Sequence, residues 1–206
     1  MNAPTTLSLA LSNETSTAHL MADLALLIGP GDVITLSGDL GAGKTAAARA
    51  LIRYLANDDA LEVPSPTFTL VQAYDLPPFP LLHADLYRVN DATELEEIGL
   101  SPLPDGTVAL IEWPERASDA MPEDRINIAF SHRSALGSAA RAAEITGHGK
   151  AARAVDPSAG RWLKAMSMRS SGIASLARSG HSISASVPSG NGDSPISSNS
   201  LASLMR

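Results

Sequence analysis

Eight residues constrain this chain more than any others: Gly38-Asp39-Leu40-Gly41-Ala42-Gly43-Lys44-Thr45. They match G-x-x-x-x-G-K-[ST] at every fixed position, a pattern that needs a strand before it and a helix after it. Both are legible. Val33-Ile34-Thr35-Leu36 is a β-branched, largely apolar run suited to a buried strand. From Thr45 to Leu55 a helix is expected, with Ala48, Leu51, Ile52 and Leu55 on one face. The glycines let the backbone curl so that successive N–H groups point into one concavity, a nest for phosphate oxygens. The helix start adds its open N–H groups and its positive dipole end. In this reading the loop Asp39, Leu40, Gly41, Ala42, Gly43 wraps the phosphates. The Lys44 ammonium bridges the β- and γ-phosphates, and the Thr45 hydroxyl ligates Mg²⁺. The bland alternative is a glycine turn with no ligand. With Gly at about 7% of residues, a chance match in a chain of this length stays below about 1%.

Elements alternate on both sides of the loop. Thr6 to Leu11 reads as a short strand. Thr17 to Ile28 reads as a helix, with Leu20, Leu24, Leu27 and Ile28 at helical spacing and Gly29-Pro30-Gly31 as its stop. Thr69 to Tyr74 and Leu81 to Asp85 read as strands around a proline-rich turn. Thr93 to Ile98 reads as a short helix, with a capping box of Thr93 and Glu96 and Gly99 at its end. Val108 to Ile111 and Ile126 to Phe130 complete the strands. The alternation predicts an α/β fold: a P-loop NTPase-like central mixed sheet flanked by helices.

A phosphate loop binds; hydrolysis also needs a carboxylate near the metal and a group that places water. Leu81-Leu82-His83-Ala84-Asp85 ends an apolar strand in an acid, the form in which a carboxylate emerges beside phosphates. Val108-Ala109-Leu110-Ile111-Glu112 repeats that form. On pattern alone the alternative for Asp85 is a cap on a strand-terminal turn, and Glu112 stays open because one such acid is usual. Ser65-Pro66-Thr67-Phe68-Thr69 stands where a switch segment senses a γ-phosphate, yet Pro64 and Pro66 also fit an ordinary turn. His83 reads as a packed or hydrogen-bonded histidine before it reads as a base. Trp113 reads as packing or as a stacking surface, and Glu94, Glu96 and Glu97 as a solvated face.

Charge and composition bound the function class. The 206 residues include no cysteine, which removes disulfides, thiolate metal sites and thiol catalysis. Residues 1–150 carry 9 Lys and Arg against 20 Asp and Glu, net −11; residues 151–206 carry 6 against 2, net +4. An acidic body argues against broad nucleic-acid binding, which requires a basic surface. The longest apolar run is Leu24 to Ile28, far short of the roughly 20 residues that span a bilayer. No basic residue precedes Lys44, so no secretory signal is expected, and the expected location is the cytoplasm. Residues 151–206 contain 15 serines and 5 glycines. The expected division is a domain over 1–149 and a mostly disordered tail over 150–206, with a short helix near 160–168.

In order, GDLGAGKT, SPTFTLV, HADLYR, ELEEIGL and IEWPE resemble the bacterial TsaE (YjeE) family over about residues 7 to 149. The resemblance implies a weak ATPase supported by Mg²⁺. It implies assembly with TsaB and TsaD, with tRNA reached indirectly through that complex and no membrane involved. The complex places a threonylcarbamoyl group on N6 of adenosine 37 in tRNAs that read ANN codons. The resemblance makes Asp85 and Glu112 catalytic, with Thr45, Glu112 and Asp85 near the metal. It puts Trp113 near the nucleotide, Glu14 and Thr17 near the nucleoside, and Thr67 in the switch-like segment. Two other classes remain: a small-molecule P-loop kinase, which usually carries an arginine-rich lid absent here, and a nucleotide-binding regulatory module without catalysis.

Overall fold

The structure, a computed structural model, describes residues 5–91, 93–133 and 139–156. Strand β1 (Thr5–Leu11) leads into helix α1 (Glu14–Ala25). This helix starts ahead of the expected Thr17 because Asn13 caps it: Asn13 Oδ1 accepts the Ser16 N–H at 2.9 Å. Strand β2 (Val33–Ser37) passes through the glycine loop into α2 (Lys44–Ala56). A hairpin of β3 (Val71–Asp75) and β4 (Pro80–Asp85) follows. Helix α3 (Glu94–Glu97), β5 (Val108–Glu112), a 3₁₀ segment (Pro114–Ala120), β6 (Arg125–His132) and β7 (Arg141–His148) complete the body.

The strands form one mixed sheet in the order β1-β7-β6-β2-β5-β4-β3. Strands β6, β2, β5 and β4 run parallel; β7, β1 and β3 are antiparallel to their neighbours. This is the expected P-loop NTPase-like α/β class. The central strands β2 and β5 are the ones that read as apolar runs, because both of their faces are covered, whereas β6 buries alternate residues. Alternation along each strand divides the core. Leu36, Leu81, Leu110 and Ile128 pack with Leu24 of α1 and Ile52 of α2. Val33, Ala84, Ala109 and Ile111 face the other way, toward Leu95 of α3 and Ala117. The α2 stripe of Ala48, Leu51, Ile52 and Leu55 is buried as its spacing requires.

Two local details differ from the sequence reading. Thr93 is already helical and makes no side-chain cap. Asp91 Oδ1 instead accepts from the Thr93 N–H and hydroxyl, and Glu94 Oε1 accepts the Asn90 and Asp91 N–H groups. A nearer acceptor wins the local competition for those amides. Strand β7 was not legible, since Ala142, Ala143 and Gly147 give it little hydrophobic contrast.

The packed chain continues past Gly149. A 3₁₀ turn (Gly149–Ala151) runs into α4 (Ala152–Val155), and Val155 is fully buried in the main core. Asp124 Oδ1 accepts the Lys150 N–H at 2.8 Å and holds this return. The tail expected from residue 150 lies outside the described residues from 157 onward, as does the helix expected near 160–168. Among the described residues no helix is long and apolar enough to cross a membrane.

Candidate functional site

Strand register brings the two candidate acids together. Glu112 of β5 pairs with Leu36 of β2 on one side and with Asp85 of β4 on the other. The carboxyl ends of three adjacent parallel strands therefore finish at one level, the place where ligands bind in open α/β sheets. Alternation then sets direction. Asp85 and Glu112 share the parity of Leu81 and Leu110, so they emerge on the face that carries α2.

The glycine loop starts at that level. Gly38 has φ +128°, and a Cβ there would run into the Phe130 carbonyl oxygen of β6. Only glycine permits both the turn and the approach. Lys44 is 5% exposed. Its Nζ donates to Gly38 O at 2.6 Å and Asp39 O at 2.9 Å, and lies 3.4 Å from the centre of the Trp113 ring. Burial lowers its pKa below the ordinary 10.5, against the opposing pull of Glu112, Glu115, Asp85 and Asp39. Trp113 adopts a left-handed backbone (φ +60°, ψ +50°), a costly conformation for a bulky residue. That backbone places the indole against the ammonium.

Behind Lys44, a chain of polar contacts runs inward. Thr45 Oγ1 donates to Glu112 Oε2 at 2.8 Å, and Glu112 Oε1 lies 2.9 Å from His83 Nε2. His83 and Glu112 are essentially inaccessible. A carboxylate only accepts, so with Glu112 in that form the bond requires an N–H at Nε2; among the described residues Nδ1 has no hydrogen-bond partner. Asp85 is tied differently. Its Oδ2 accepts from the Ser65 and Thr67 hydroxyls, both at 3.0 Å, and its Oδ1 accepts the Tyr87 N–H at 3.0 Å. The Ser65–Thr67 segment is thereby drawn to the end of β4.

Most of these groups, though not Gly38 or His83, line one cleft of about 310 Å³. It brings together Leu40, Gly41, Gly43, Lys44, Thr45, Thr67, Asp85, Glu112 and Trp113. Four other expected residues stay outside its lining. Ala42 is buried beneath the loop, and its N–H donates to Asp39 O. Asp39 is exposed, with its backbone oxygen toward Lys44. Glu14 is exposed and Thr17 buried in the first turns of α1. Ser65 and Tyr87 also line the cleft and were not singled out as site residues; both flank residues that were. Arg141 has no such signal. It bonds the loop carbonyls of Gly41 and Ala42 from 100 and 99 residues away. Among the described residues no group of three or more His, Asp or Glu could hold a metal ion unaided.

A glycine loop joining a central parallel strand to a helix, with carboxylates ending the two strands beyond it, defines a P-loop NTPase-like α/β protein. The family model for the threonylcarbamoyl adenosine biosynthesis protein TsaE matches residues 11–141, and the chain belongs to that family. It is 36% identical over 118 residues to the tRNA threonylcarbamoyladenosine biosynthesis protein TsaE of Rickettsia bellii, covering 57% of this chain and 81% of the relative. It is 42% identical over 106 residues to the Aquifex aeolicus protein of the same name, covering 52% and 75%. Among solved structures it resembles Bacillus subtilis YdiB, with a TM-score of 0.60 and 25% identity. That match covers 82% of this chain and 99% of YdiB.

Proposed function

We propose that this protein is an ATP-hydrolysing subunit that acts in the cytoplasm with TsaB and TsaD. Together they add a threonylcarbamoyl group to N6 of adenosine 37 in tRNAs that read ANN codons. One observation carries the reading. In a chain of the TsaE family, Lys44, Thr45, Asp85 and Glu112 converge on one cleft at the strand ends.

The roles follow from chemistry. The loop N–H groups and the α2 start attract phosphate oxygens. Lys44, held by two loop carbonyls at the cleft floor, supplies a fixed cation. Thr45, Glu112 and Asp85 offer only oxygen ligands, which fit a hard cation such as Mg²⁺. With too few side chains here for a full cage, such an ion would need further oxygen ligands from phosphate and water. Bound there, Mg²⁺ would supply positive charge against the charge that develops on the phosphates. Thr45 Oγ1 and Glu112 would hold it. Asp85, braced by two hydroxyls and an amide, orients the attacking water from the neighbouring strand end. Trp113 covers the Lys44 side of the cleft and limits water there.

The test is ATP hydrolysis by the purified protein, alone and with TsaB and TsaD. The expected outcome is slow turnover that rises with the pair, together with repeated rounds of tRNA modification. Nucleotide binding with no stimulation and no effect on modification would reject the proposed role.

A further inference from the structure

The glycine loop must satisfy its carbonyls as well as present its amides. A nest that commits its N–H groups to a ligand leaves its carbonyls to other donors, from the protein or from water. Lys44 Nζ serves the first two, those of Gly38 and Asp39. Two more belong to Gly41 and Ala42, just before α2. Both accept from one distant side chain: Arg141 Nε donates to Ala42 O at 3.1 Å, and Nη2 donates to Gly41 O at 3.4 Å. Nη1 donates to Ala140 O at 3.0 Å, which ties the same guanidinium to its own strand end. The reach is set by topology. Arg141 opens β7, in register with Leu11 of β1 and His132 of β6. Gly38 packs against the same β6 at Phe130.

We propose that Arg141 is a positioning residue for phosphate binding, clamping the outward carbonyls of Gly41 and Ala42 to hold the loop in its binding curvature. The inference rests on the nucleotide-binding reading above. Geometry supplies the first reason. A planar guanidinium with several fixed donors can hold two carbonyls at a set separation, which a lysine ammonium does not reproduce. Polarisation supplies the second. The Ala42 C=O and the Gly43 N–H belong to one peptide unit, so a cation on that oxygen makes the N–H a stronger donor. A positive charge behind the loop also raises the potential that an incoming polyphosphate meets. Arg141 acts through the loop backbone.

Mg²⁺-ATP affinity, measured by calorimetry on full-length wild type, Lys44→Ala, Arg141→Ala and Arg141→Lys, tests this, with thermal unfolding followed in parallel. Arg141→Ala should bind about tenfold more weakly, the scale of losing charge-assisted hydrogen bonds. Arg141→Lys should fall between it and wild type. Millimolar guanidinium should restore part of the Arg141→Ala affinity and leave wild type unchanged. Wild-type affinity in Arg141→Ala overturns the inference. So does a loss that guanidinium leaves untouched and that tracks a lower unfolding midpoint, because that marks a purely structural role. Should Arg141→Ala not fold, Arg141→Lys decides: a loss of about threefold or more supports the clamp, and wild-type affinity overturns it. If wild type binds no better than Lys44→Ala, the nucleotide reading fails and the clamp with it. If those two differ as expected, an unaffected Arg141 variant counts against the clamp alone.

Discussion

Glu112 accepts the Thr45 hydroxyl with one oxygen and faces His83 with the other, and the His83 and Glu112 side chains are almost wholly buried. Both partners depend on it. Glu112→Ala should therefore destabilise the fold by about 1–3 kcal/mol, since His83 is left buried with no acceptor. Denaturant unfolding measures this, and an unchanged midpoint would mean that the pair adds no net stability. The ligand roles separate differently. Lys44→Ala should abolish measurable ATP binding, because the phosphates lose their fixed cation. Thr45→Ala should lose only the increment in affinity that Mg²⁺ adds. Calorimetry with and without Mg²⁺ distinguishes the two, and equal ATP affinity in wild type and Lys44→Ala would sink the phosphate-loop assignment. Lys44 and Thr45 were legible because their motif is local. The His83–Glu112 contact was not, because it joins two strands 29 residues apart through register.

At the level of elements, α4 shows how close packing depends on one small residue. A Cβ at Gly147 of β7 would lie 2.5 Å from Ala151 O and 2.6 Å from Ala152 Cα. Gly147→Ala should push α4 off the sheet and cost about 1–3 kcal/mol, the usual penalty of overpacking. A thermal unfolding midpoint equal to wild type would contradict this. The turn before α4 should also respond to acid. The Lys150 backbone and side chain lower the pKa of the Asp124 carboxyl below its ordinary 3.8. A depressed carboxyl contributes fully above the ordinary value, and its contribution is lost as pH falls through the lowered one. The Lys150 amide resonance should accordingly shift with a midpoint below 3.8; a midpoint at or above that value would rule the tie out. Strand β7 and this return escaped the sequence reading for one reason. Alanine and glycine are small enough to pack tightly yet leave no hydrophobic period to detect.

For the whole molecule, the packed unit reaches beyond the expected boundary at residue 149. Val155 is fully buried, in a helix packed beside β1 and β7, and Lys150 is tied to Asp124. A chain ending at Asp156 should keep the full chain's stability and nucleotide affinity. One ending at Gly149 should lose about 1.5–3 kcal/mol, roughly the burial of one valine side chain. Matched denaturant curves for the two truncations decide it, and superimposable curves would show that α4 contributes nothing.

By itself the sequence determined the α/β class, the phosphate loop and the helix it opens, and the two acids ending apolar strands. Each is written in adjacent residues: a motif, a period, a strand followed by a carboxylate. Tertiary structure decided what lies between them. Register aligned Asp85 with Glu112, alternation turned both toward α2, and the start of β7 delivered Arg141 to the loop. Those contacts join residues tens to about a hundred positions apart, and only the assembled sheet sets their distance.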